Sequence, residues 1–159
     1  MRHLNAQRGV TLIELMVTIT IAAILLTVGA PMLADYIANS RLRAAGEAVL
    51  SQVLFAQQEA IKRNGVVRLV VSGASLEVFD RSTSPATLLR TQQLPDGIAA
   101  TATKVPDFDS FGRPATFGDT YAIDLSASGI TCSNDYRCPS VRVDVGGGVR
   151  LCSDKNNCS

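Results

Sequence analysis

Tryptophan is absent, histidine occurs once, at His3, and aromatic residues make up only 5% of the chain. With its one histidine at the extreme start, the body of the protein lacks the base that activates a Ser or Cys nucleophile. Catalysis of that kind is excluded, and no catalytic residue is named. No cysteine precedes Cys132, and the four present (Cys132, Cys138, Cys152 and Cys158) lack the short gaps of zinc ligands. No metal site and no cofactor are expected. Net charge is only +1, so affinity for nucleic acid or acidic lipid must come from a local patch. Charge is missing altogether from Leu15 to Ala34, 20 residues without Asp, Glu, Lys or Arg. As a helix, that stretch is long enough to cross a hydrocarbon layer of about 30 Å. No small-residue cleavage site of the Ala-x-Ala type ends it, which excludes an ordinary removable secretory signal.

What stands before the apolar run is a short basic leader carrying Arg2, His3 and Arg8 and ending in Gly9. The natural cut is therefore between Gly9 and Val10, which leaves the hydrophobic helix on the mature protein. Arg2 and Arg8 favour a cytoplasmic N-terminus, placing everything after residue 34 outside. The expected organisation is a leader at 1–9, a transmembrane segment at 10–34 and an exported head at 35–159. The head includes the second half of the same helix. Equal six-residue separations favour two local disulfides in an oxidising compartment, Cys132–Cys138 and Cys152–Cys158, although four cysteines permit three pairings.

Beyond the apolar run, Leu42, Ala45, Val49, Val53, Ala56 and Ala60 recur at steps of three and four and define one buried helix face. Leu50, Leu54 and Ile61 widen it, while Arg41, Arg43, Glu47, Gln57 and Lys62 point elsewhere. The helix is expected to run from Val10 to Arg63, with a kink at Pro31 and a stop at Asn64-Gly65, the glycine taking the left-handed conformation. Short β-rich runs follow: 66–71, 75–80, 87–92, 121–125, 141–145 and 149–152. Pro95-Asp96-Gly97 and Gly146-Gly147-Gly148 read as turns. One long helix packed against antiparallel strands makes the fold class α+β.

Gly9, the apolar start Thr11-Leu12-Ile13, and Glu14 five residues after the cut together resemble the class III signal of type IV pilins and type II secretion pseudopilins. Phe108-Asp109-Ser110-Phe111-Gly112-Arg113 and Glu59-Ala60-Ile61-Lys62-Arg63-Asn64 are similar to segments of the GspH/FimT branch. Val10 departs from the Phe or Met more usual there. The resemblance implies a pilin-like fold, cleavage and N-methylation of Val10 by a prepilin peptidase, and retention in the inner membrane. It also implies assembly with other pilin or pseudopilin subunits through an inner-membrane platform, with the head near the filament tip. A carboxylate inside a membrane costs about 2 to 3 kcal/mol, and the resemblance gives Glu14 a compensating partner, the new α-amino group of Val10.

Two smaller readings remain. Thr11, Thr18, Thr20 and Thr27 are expected to bond their own helix carbonyls. Asp107, Asp109 and Asp119 read as a solvated loop, without the alternation of a calcium site. The alternative function is double-stranded DNA capture for uptake. Arg137, Arg142 and Arg150, with Lys155, surround the last hairpin and are candidate phosphate contacts, offset by Asp135, Asp144 and Asp154. DNA-binding FimT-type minor pilins carry Gly-Arg-x-Arg near this place; the matching stretch here is Gly147-Gly148-Val149-Arg150, with Gly148 replacing the first arginine.

Overall fold

The computed structural model describes residues 9–133 and 136–158. Arg2, His3, Arg8 and Asp135 lie outside the described residues, as does the side chain of Pro31. The chain divides between Ile37 and Ala38 into two compact units. One helix, α1 (Leu12–Arg63), contributes to both. It starts two residues later than expected because Thr11 forms its cap.

In the first unit the described apolar side chains are exposed, from Leu12 and Ile13 through Leu26 to Met32 and Leu33. Thr18, Thr20 and Thr27 each donate a hydroxyl hydrogen bond to a carbonyl three or four residues earlier, at 2.8 Å. Among the described residues, no single helix is long and apolar enough to cross a membrane. Leu12–Thr27 and Met32–Arg63 pass that test together, by length and composition.

In the second unit the helix is one wall of a core. Leu42, Ala45, Val49, Val53, Ala56 and Ala60 are all fully buried, the six positions named by periodicity. Leu54 and Ile61 are exposed and Leu50 is half-buried, so the buried face is narrower than the sequence suggested. Gln57 is buried as well. Opposite lie two four-stranded antiparallel sheets. The first has the order β3 (Thr87–Gln93), β2 (Ser75–Asp80), β1 (Val67–Ser72), β5 (Asp107–Phe108). The second runs β4 (Ile98–Ala102), β6 (Tyr121–Ala127), β7 (Ser140–Val143), β8 (Val149–Cys152).

The sheets meet at Gly73 and at Tyr121. Gly73 bridges Ala100, whose N–H donates to the Gly73 carbonyl at 2.8 Å. Tyr121 stacks edge-on against Phe108, ring centroids 5.8 Å apart. Its hydroxyl donates to the Asp107 carbonyl at 2.9 Å. Strand alternation then follows from the core: β2 buries every second residue, and β7 buries Val141 and Val143 while turning Arg142 outward. Val145 is exposed, not part of β7, because Asp144 ends the strand by receiving the N–H groups of Gly146 and Gly148. The left-handed residue at the helix end is Asn64, at φ 50°, not Gly65. A Cβ at Gly65 would meet the Ser82 side chain, which would have to turn aside.

Candidate functional site

Gly9 and Val10 are exposed and precede the first helical turn. Thr11 is the helix cap. Its Oγ1 accepts the N–H of Glu14 at 3.3 Å, and its carbonyl accepts the N–H of Leu15 at 3.1 Å. Thr11-Leu12-Ile13-Glu14 thus has the Thr-x-x-Glu form of a helix start. Glu14 sits in the first turn, where the positive end of the helix favours a carboxylate. Thr11 is thus an acceptor at the helix start, a role not expected from the sequence. The Thr-x-x-Glu spacing was the signal that could have revealed this.

At the other end of α1, Glu59 and Arg63 form the hub of an ion-pair network. Arg63 Nε donates to Glu59 at 2.7 Å, and its Nη1 donates to Asp80 of β2 at 3.1 Å. Lys62 pairs with Glu59 from the side at 3.3 Å. The hydrogen bond from Arg63 holds the Glu59 carboxyl below its ordinary pKa. Asp80 is held low first by the backbone N–H of Ser82 and then by Arg63. The Glu-Ala-x-x-Arg-Asn segment is thus a device that locks the helix end to the first sheet.

The Phe-x-x-x-Gly-Arg segment has an equally mechanical role. Phe108 is fully buried, and Gly112, at φ 74°, lies under Ile61 of the helix. Gln57 Nε2 donates to the Gly112 carbonyl at 2.8 Å and to the Gly147 carbonyl at 2.7 Å. One amide therefore clamps two separate turns to the helix, which explains why Gln57 is inside. The clamp leaves little room: a Cβ on Gly147 would stand 2.7 Å from the Gly112 oxygen.

The three aspartates do not converge. Asp107 makes a two-pronged pair with Arg68, Asp119 pairs with Lys104, and Asp109 accepts the N–H groups of Phe111 and Arg113. Each is neutralised or spent on a turn, so the expected solvated loop is an organised one. Among the described residues no group of three His, Cys, Asp or Glu side chains is placed to hold a metal ion.

The cysteines join as Cys132–Cys138 and Cys152–Cys158, with Cα atoms 5.5 and 5.4 Å apart. The end of the chain folds back on β7, the N–H of Lys155 donating to the Cys138 carbonyl at 2.7 Å. Here the candidate arginines separate. Arg142 and Arg150 face each other across β7 and β8. Arg142 is committed to Asp124 at 3.4 Å and to the Lys155 carbonyl at 3.5 Å. Arg150 is exposed and makes no ion pair among the described residues. Arg137 is elsewhere, in a cleft beside the helix with Arg43 and Glu47. Arg137 lies three residues before β7 begins, whereas Arg142 leaves the face of β7 opposite the buried Val141 and Val143. Nor is Gly148 an open place for the missing arginine. A Cβ there would lie 2.5 Å from Asp144 Oδ2, in the group that shapes the turn.

A helix-end lock, a Gln57 clamp on the Gly112 turn and two small cystine loops describe a head whose motifs serve architecture. The family model for type II transport protein GspH matches residues 45–155. The chain belongs to the GspH family. The prokaryotic N-terminal methylation motif matches residues 4–30 and implies an N-terminal membrane anchor. No curated protein matches the sequence. The GspH-family fold is also that of the type IV minor pilin FimU of Pseudomonas aeruginosa. The TM-score is 0.58 at 14% identity, covering 70% of this chain and 88% of that one. The minor pseudopilin EpsH of the Vibrio cholerae type 2 secretion system is similar at TM-score 0.57 and 11% identity, covering 70% and 96%. Both likenesses are of fold: a long N-terminal helix packed on antiparallel sheets.

Proposed function

We propose that the chain is a minor pilin or pseudopilin subunit, anchored in the inner membrane by its N-terminal helix and later built into a filament near the tip. A prepilin peptidase cuts between Gly9 and Val10 and methylates the new N-terminus. The head is periplasmic, and an inner-membrane platform feeds the subunit into a type IV pilus or a type II secretion pseudopilus. Pro31 supplies a kink where the helix leaves the membrane. Glu14 pairs with the α-amino group of Val10, its own or a neighbour's. The observation that carries this reading is one helix with two surfaces: exposed apolar side chains before residue 38 and a GspH core stripe after it.

Incorporation into filaments tests it. Glu14→Ala should stay in the membrane fraction, since the helix becomes more apolar, and should be lost from sheared filaments. Equal recovery of mutant and wild type in filaments would refute the pairing.

DNA capture is the second reading, supported by the exposed Arg150 beside Arg142. Its cation set is smaller than the sequence suggested, because Arg137 lies apart and Arg142 is already paired. Duplex DNA should therefore bind with a shallow salt dependence that Arg150→Ala abolishes. Binding indifferent to Arg150→Ala removes this reading.

A further inference from the structure

Beside the first turns of the head's helix lies an open cleft of about 490 Å³. Its floor is apolar, formed by Pro139 and Leu151. Both pack so closely on the helix that a Cβ at Gly46 would stand 3.1 Å from each. The rim is basic: Arg43 on the helix and Arg137 ahead of β7, both exposed, with Ser153 completing it. One carboxylate, Glu47, pairs with Arg43 at 3.3 Å, with the two side chains 59% and 82% exposed. A pair so exposed is weak, and either group exchanges readily for a better partner.

Position along the chain decides what that partner is. The uncharged run ends at Ala34. Arg43 follows it by nine residues of sequence. The headgroup layer on each face is about 5 to 8 Å thick, half the excess of a bilayer's full ~40–45 Å over its ~30 Å hydrocarbon core. Arginine side chains carry their charge at the end of a long apolar stem, so they reach toward that layer. A cleft with an apolar floor and a basic rim offers a phosphodiester headgroup both its contacts, phosphate to guanidinium and glycerol to Pro139 and Leu151. A long polyanion gains less, because Glu47 stands on the rim and the floor is uncharged.

We propose that this cleft docks anionic phospholipid headgroups and holds the head against the membrane before the subunit is withdrawn into a filament. The proposal rests on the membrane-anchored reading above. Each basic side chain near an anionic surface strengthens attachment about five-fold, and salt screens the effect.

The chain has no tryptophan, so Ser153→Trp places a sole indole reporter on the exposed rim. The full processed chain is incorporated into nanodiscs of phosphatidylcholine alone or with added phosphatidylglycerol, each containing a lipid spin-labelled at its headgroup. Stronger quenching in the phosphatidylglycerol discs is expected. It should be reversed at about 0.5 M salt and abolished by Arg43→Gln with Arg137→Gln. Arg81→Gln removes the same charge just beyond β2 and should leave quenching intact. Equal quenching in the two discs, or phosphatidylglycerol-dependent quenching that survives the double substitution, would overturn the proposal. So would loss of quenching in Arg81→Gln, or displacement of the lipid signal by equimolar duplex DNA. Failure of the chain to co-elute with nanodiscs would instead defeat the membrane anchor, and this proposal with it.

Discussion

The stretch from Leu12 to Leu33 and the stretch from Leu42 to Ala60 lie on one helix and are both rich in apolar residues, yet their burial is opposite. In the first, apolar side chains occur on every side and the described ones are exposed, Leu12 at 76% and Met32 at 72%. In the second, the six residues of the stripe, Leu42, Ala45, Val49, Val53, Ala56 and Ala60, are all at 0%, while apolar residues off it, such as Leu54, stay exposed. A helix with a single apolar stripe is written for a protein core, whereas one apolar all round needs a nonpolar surrounding everywhere. The difference teaches that arrangement, more than hydrophobic content, sets the partner of a helix. It also explains how one helix carries two kinds of surface.

The sharpest way to break that contrast is to place the same charge in each half. Val53→Asp buries a carboxylate with no partner and should cost the head about 4 kcal/mol or more. Ile19→Asp should leave head stability unchanged while weakening membrane insertion by about 3 kcal/mol. Thermal unfolding of the full chain in detergent, read by near-ultraviolet circular dichroism, measures the first effect. Extraction from membranes by alkaline carbonate measures the second. If both variants melted alike, the two halves would not be different objects.

A smaller change sharpens the comparison by showing that the second half holds more than apolar surface. Gln57→Ala removes both hydrogen bonds of the clamp and leaves the Gly112 and Gly147 carbonyls without their donor. A loss of about 2 to 3 kcal/mol is expected in urea denaturation. Gly147→Ala should cost a similar amount, since its Cβ meets the Gly112 oxygen at 2.7 Å in a left-handed turn.

Smallest is the effect of acid on the helix-end lock. Glu59 and Asp80 are depressed below ordinary values of 4.5 and 3.8. Their stabilisation is therefore complete above those values and is lost as pH falls through the depressed ones. Glu59→Gln with Asp80→Asn should lower stability at neutral pH and flatten its decline below pH ~4.5. An unchanged acid limb in the melting temperature would show that the lock contributes nothing.

How far the sequence carried the fold depends on where information resides. The helix stripe was legible because its period is local, and β2 and β8 because β-rich runs end at turn residues. β4, Ile-Ala-Ala-Thr-Ala, was not legible. Its alanines have little intrinsic strand preference, and it exists because β6 pairs along its length and Ala100 fits the junction between the sheets. β5 is two residues long and is defined only by its pairing with β1. At the candidate sites, the N-terminal signal is a contiguous string and could be read directly, except for the cap at Thr11. The separation of Arg137 from Arg142 and Arg150 could not, because Arg137 lies ahead of β7, in a segment that packs beside the helix.

Intact mass of the protein extracted from membranes tests the central claim most directly, because retention of the helix distinguishes an anchored filament subunit from a secreted head. The account predicts a chain beginning at N-methylated Val10 and carrying both disulfides. A chain beginning at Met1, or at a residue past 30, would contradict it.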